Sequence, residues 1–145
     1  MRITPDTAIL VRTSVRSAGP ARELMKLIER SGARLVLSPF LLNELERVLR
    51  YPRMQALYRL SDDEIREHIE YLRVLSDVVL PLEGSPVVLK DPNDDPVVYT
   101  ALAGQADVLC TVDQHFYEPN VLSFCSRYGV RVMTDLELLE VLRRS

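Results

Sequence analysis

The chain has 145 residues, 47% of them hydrophobic and 27% charged, with a formal net charge of −3. These values describe one globular domain with enough apolar material for a core, and exclude collagenous, disordered and disulfide-stapled chains. No apolar run approaches the ~18 residues of a membrane span, and there is no basic excess of the kind that marks generic nucleic-acid binders.

In chain order, Met1–Pro5 reads as a short strand. Pro20-Ala21 opens a helix that runs to about Arg30, with Leu24, Leu27 and Ile28 on one face, and Ser31-Gly32 ends it. Arg34–Leu37 is a second strand. Ser38 as N-cap and Pro39 at the first helical position start a helix carrying Leu41, Leu42, Leu45, Val48 and Leu49, interrupted at Tyr51-Pro52. Ser61-Asp62-Asp63-Glu64 is a capping box for a long helix with Ile65, Ile69, Leu72 and Leu75 inward. Val78-Val79-Leu80 reads as a strand stopped by Pro81. Asp91-Pro92 opens a helix to about Ala103, with Gly104 as its stop. Val108–Val112 is a buried strand, Pro119–Tyr128 a helix, and Val130–Met133 the last strand. Thr134-Asp135-Leu136-Glu137 caps a final helix through about Leu142.

Short, continuously apolar strands separated by helices predict an α/β chain with a parallel sheet covered on both faces. No repeat, low-complexity stretch or linker divides it, so residues 1–145 are expected to form a single domain. Cys110 and Cys125 belong to no CxxC pattern, and the opening segment lacks the apolar core of a secretory leader. The expectation is a reduced, cytoplasmic protein in which Cys110 is a small core residue.

Four acids follow or flank the apolar runs: Asp6, Glu44, Asp95 and Asp113. In parallel sheets, sites form at the carboxyl ends of strands, where Asp6 and Asp113 fall directly. Glu44 is the sixth helical position after Ser38 and edges the Leu41, Leu45, Leu49 stripe. Asp95 is the fourth position after Asp91. Clustered carboxylates repel one another and need a cation, and Mg2+ or Mn2+ suits an all-oxygen set. Such ions polarise phosphoryl oxygens and generate hydroxide from water. Asp91 and Asp135 are better explained as caps, and Asp62 and Asp63 as first-turn residues favoured by the helix dipole.

The basic residues include only two lysines, Lys26 and Lys90. Arg47, Arg50, Arg53 and Arg59 interleave with Tyr51 and Tyr58, and Arg12, Arg16 and Arg22 form a second group. Arginine suits bidentate phosphate contact, and solvated helix faces with surface salt bridges are the plainer alternative.

Read together, Met1-Arg2-Ile3-Thr4-Pro5-Asp6-Thr7, Leu37-Ser38-Pro39-Phe40-Leu41-Leu42-Asn43-Glu44-Leu45, Asp91-Pro92-Asn93-Asp94-Asp95 and Ala106-Asp107-Val108-Leu109-Cys110-Thr111-Val112-Asp113 resemble the PIN-domain ribonucleases. The likeness is to their toxin–antitoxin (VapC-like) branch in particular. The resemblance implies a three-layer α/β/α sandwich around a mostly parallel sheet of about five strands. It implies RNA cleavage at a Mg2+ or Mn2+ centre with Asp6, Glu44, Asp95 and Asp113 as catalytic and metal-holding acids. Thr111 matches the small hydroxyl residue two positions before the last acid. Asp94 competes for the third position; Asp95 is preferred because Val98, Ala101 and Ala103 fall at the family's spacing from it. Arg12, Arg47, Arg50 and Arg53 are the candidate RNA contacts. A cognate antitoxin and a homodimer are the implied protein partners, with Phe40, Tyr51, Met54 and Tyr58 as a contact surface or as core.

Two positions depart from the pattern. Ala8 stands where the family's first motif usually has Asn, and His115 where many relatives carry an acid. Ala8 motivates the alternative of an impaired domain that binds RNA or protein without cutting. His115 is a surface residue, a phosphate contact or a weak ligand, and His68 is expected to be solvated. A phosphoacceptor receiver domain would need paired acids after the first strand and a late lysine, and no lysine follows Lys90.

Overall fold

The computed structural model describes residues 1–14, 19–81 and 83–144. Its strands are β1 (Arg2–Pro5), β2 (Arg34–Leu37), β3 (Ser76–Val78), β4 (Val108–Cys110) and β5 (Arg131–Met133). They form one all-parallel sheet in the order β3-β2-β1-β4-β5. The helices among the described residues are α1 (Thr7–Ser14), α2 (Pro20–Ser31), α3 (Pro39–Leu49), α4 (Pro52–Tyr58), α5 (Asp62–Leu75), α6 (Asp95–Ala103), α7 (Pro119–Arg127) and α8 (Asp135–Arg143). None is long and apolar enough to cross a membrane.

The central strands explain the layers. Ile3 to Pro5, Leu35 to Leu37 and Val108 to Cys110 are buried residue after residue, which requires cover on both faces. Right-handed crossovers place the β1→β2→β3 connections on one face and the return through β4 to β5 on the other. The edge strands β3 and β5 are only partly buried. The expected α/β/α sandwich with about five strands is therefore the observed fold.

Local chemistry positions the helices. Ser38 caps α3 by accepting the Leu41 N–H. Capping boxes Ser61/Glu64 and Thr134/Glu137 start α5 and α8. Gly32, at φ 76°, closes α2 in a conformation that suits glycine. A side chain at Gly104 would collide with Val36, so its lack of one lets the end of α6 press onto β2. At the other end of α6's packing, the Thr100 hydroxyl donates to Ser38 Oγ at 2.8 Å, tying α6 to the start of α3.

Several elements depart from expectation. Helix α1 is absent from the sequence reading because Thr7-Ala8-Ile9-Leu10-Val11 has strand-like composition; burial of Ile9, Leu10 and Thr13 overrides it. Strand β3 begins at Ser76 rather than Val78. Its polar Asp77 is held by Arg2 at 2.6 Å and Arg34 at 2.9 Å, and Leu80 is left 80% exposed. The helix expected from Pro92 to Ala103 divides into a 3-10 turn over Pro92–Asp94 and α6 from Asp95. Pro96 would break a continuous helix but is tolerated in the first turn of a new one. Residues 52–58 form a separate helix, α4, with no buried residue.

Candidate active site

The chain reverses its direction across the sheet between β1 and β4, so the crevice at their carboxyl ends is the topological switch point. Pro5 is paired with Cys110, and the register continues as the Asp6 N–H donates to the Cys110 carbonyl at 3.0 Å. Asp6 and Thr111 are thus brought side by side. Asp6 Oδ1 accepts the Ile9 N–H at 3.0 Å, capping α1, and Oδ2 accepts a short hydrogen bond from the Thr111 hydroxyl. Asp6 is 6% exposed, and burial raises its pKa; the Asp113 charge acts in the same direction against the Thr111 and Ile9 hydrogen bonds.

Thr111 also organises Asp113. Its hydroxyl oxygen accepts the Asp113 N–H at 3.0 Å, and its carbonyl accepts the Tyr117 hydroxyl at 2.7 Å. Asp113 Oδ1 in turn accepts the His115 N–H at 2.9 Å and caps a 3-10 turn over Gln114–Tyr117.

The adjacent acids Asp94 and Asp95 have different surroundings. Asp95 Oδ1 accepts the N–H groups of Val87 at 3.1 Å and Val88 at 2.7 Å, tethering the loop before the 3-10 turn. The residue also lines a cavity of about 450 Å3 with Ser38, Phe40 and Tyr99. Asp94, in contrast, belongs with Asp6 and Asp113. Burial, then the charges of Asp91, Asp113 and Asp6, and a proton shared with Asp113 raise its pKa to about 7. Its Oδ2 is closed to solvent and has no hydrogen-bond donor. Asp95, the residue expected here from the spacing of Val98, Ala101 and Ala103, opens α6 itself, and the carboxylate that faces the other acids is that of its neighbour Asp94.

Among the described residues, the one group of metal-ligating side chains with all ligand atoms within 4.8 Å of one another is Asp91, Asp94 and His115. Asp91 also caps the 3-10 turn through the Asn93 N–H at 3.2 Å, as its sequence context predicts. Asp6, Glu44, Asp95 and Asp113 lie outside this group, which meets the Asp6 and Asp113 pair through Asp94; Glu44 is half-buried on α3 with Arg47 Nη2 4.0 Å from Oε1. Asp94, with one buried, donor-free oxygen among neighbouring carboxylates, fits a cation: removing such a group from water without a partner is unfavourable, and a divalent ion supplies the missing charge.

Arg12 Nη1 lies 3.3 Å from Asp135 Oδ2, and its charge opposes the rise in the Asp6 pKa. Asp135, expected only to cap, is a buried acid paired across 123 residues. Arg50 is bound to Asp62 and, at 3.3 Å, to Glu46; Arg47 and Arg53 are exposed. Arg16 lies outside the described residues. Phe40, Tyr51 and Tyr58 are exposed and Met54 is partly buried, so this group is largely surface. Ala8 is exposed on the first turn of α1. His68 is not solvated as expected: it sits in a pocket with Thr13, Arg22 and Tyr71, where burial and the Arg22 charge lower its pKa to about 4.

A family model described as the PIN domain matches residues 2–115. No curated protein and no solved structure matches the chain significantly.

Proposed function

The chain belongs to the PIN-domain family, whose members are generally nucleases that use divalent metals, and from that premise we propose that it is a metal-dependent endoribonuclease. The observation that carries the reading is the donor-free, buried Asp94 Oδ2 beside Asp6 and Asp113 at the switch point of the sheet. In this reading Asp6, Asp94 and Asp113 hold Mg2+ or Mn2+, Glu44 contributes from α3, and Asp95 keeps the neighbouring loop in place. The bound ion supplies Lewis-acid stabilisation of phosphoryl charge and lowers the pKa of water. Thr111 holds Asp6 and Asp113 in fixed orientation by one hydroxyl that donates to the first and accepts from the backbone of the second. The N-termini of α1 and α6 face the acids with their positive dipole ends, which tempers repulsion of a polyanion. Of the arginines expected to contact RNA, Arg53 is exposed and unpaired among the described residues, whereas Arg12, Arg47 and Arg50 each lie beside an acid.

Within this reading the protein is the toxin of a toxin–antitoxin pair, acting in the cytoplasm as a homodimer. The exposed Phe40, Tyr51, Leu57 and Tyr58 favour a protein contact on α3 and α4. A second reading, RNA or protein binding without cleavage, draws on Ala8.

The test is RNA cleavage by the purified chain with Mn2+, compared with Asp6→Asn, Asp94→Asn and Asp113→Asn. Cleavage by the wild type alone is expected. Equal cleavage by all four proteins refutes the assignment, and metal uptake with RNA binding but no cleavage favours the second reading.

A further inference from the structure

His115 closes the acidic group from the β4 side. Its Nδ1 is shut off from solvent and has no hydrogen-bond partner, as is true of Asp94 Oδ2, and the two residues belong to the same group. Asp113 Oδ1 lies 3.7 Å from Nδ1, too far for a hydrogen bond. The ring is nevertheless held in place. Its backbone N–H is fixed by Asp113, the next residue, Phe116, is wholly buried, and the Tyr117 hydroxyl is bound to Thr111. Asp91 is fixed by the Asn93 N–H. An imidazole nitrogen and carboxylate oxygens that converge without satisfying one another form a mixed nitrogen–oxygen ligand set.

We propose that His115 Nδ1 is a nitrogen ligand, with Asp91 and Asp94 as oxygen ligands, and that it makes this centre select a first-row transition ion over Mg2+. The inference rests on the metal-dependent reading above and deepens it. Mg2+ prefers an all-oxygen, largely hydrated shell, whereas imidazole suits the later divalent ions. A ligating Nδ1 is unprotonated, which leaves the proton on Nε2 at the exposed side of the ring.

Manganese alone is the probe. The full-length protein, stripped with chelator, is titrated with Mn2+ and examined by pulsed electron paramagnetic resonance for 14N coupling; Mg2+ is then added as competitor. The wild type is expected to show 14N coupling and to keep Mn2+ against a large excess of Mg2+. His115→Asp is expected to bind Mn2+ without the coupling, and its Mn2+ over Mg2+ preference should fall roughly 10–100-fold, the range seen when a supporting group of a metal site is changed. Thermal melting in chelator establishes that the variant is folded, and the wild-type spectrum decides alone if it is not. Mn2+ uptake without 14N coupling, or an unchanged preference in His115→Asp, overturns the inference and leaves the nuclease reading intact. Failure of the wild type to take up either ion overturns both.

Discussion

Replacing Asp94 by asparagine should make the metal-free protein more stable above neutral pH. The Asp94 carboxyl is raised from 3.8 to about 7 in the folded state, by burial first and then by the charges of Asp91, Asp113 and Asp6. Between roughly pH 4 and 7 the folded protein therefore holds a proton that the unfolded chain has released. The associated stabilisation is fully present below 3.8 and is lost as the pH rises through about 7. At about 1.4 kcal/mol per pKa unit the span corresponds to ~4 kcal/mol. Asp94 keeps part of its side chain in solvent, and screening reduces the expected contribution to about 1–2 kcal/mol. Urea unfolding in chelator at about pH 5.5 and 8.5 reads it directly: the wild type should lose about 1–2 kcal/mol between the two, and Asp94→Asn less than half of that. At the higher pH the variant should melt about 3–6 °C above the wild type. Mn2+ should restore the wild type and not the variant. If Asp94→Asn is the less stable protein in chelator at the higher pH, or if both share one pH slope, burial and the neighbouring charges do not act on Asp94 as described.

Three further outcomes separate the roles of neighbouring residues. Asp95→Ala should cost about 1–3 kcal/mol in urea unfolding by freeing the Val87 and Val88 N–H groups, while calorimetric Mn2+ affinity changes by much less than in Asp94→Ala. Thr111→Val should weaken Mn2+ binding roughly 10–100-fold, because Asp6 loses its donor and the Asp113 N–H its acceptor; Thr111→Ser should keep most of the affinity. Gly104→Ala should destabilise by about 1–3 kcal/mol as its methyl meets Val36, and loss of the α6 packing should appear as faster amide exchange in α6.

Much of the scaffold is legible in the sequence because its signals are local. Ser38-Pro39, Ser61 with Glu64, and Thr134 with Glu137 satisfy helix-end N–H groups within three residues, and each starts a helix where expected. The apolar runs at Ile3, Leu35 and Val108 are continuous because both faces of a parallel sheet are covered. Where local and tertiary preferences conflict, local reading fails. Thr7–Ser14 is a helix against its composition because Ile9 and Leu10 are buried, and Ser76-Asp77 enters the sheet because two arginines hold its carboxylate.

The same division runs through the candidate site. The sequence by itself determined that acids would follow the strands and made Asp94 and Asp95 rivals for one place beside them, since strand ends and spacing are properties of the chain. Only the tertiary structure shows which of the two faces Asp6 and Asp113. Pro96 forces α6 to begin at Asp95, that carboxylate is taken by the Val87 and Val88 N–H groups, and Asp94 is left facing Asp113 and Asp6. The orphaned Nδ1 of His115 beside Asp94 and Asp91 is likewise a product of three-dimensional packing, because no spacing along the chain states which hydrogen-bond partners a side chain lacks.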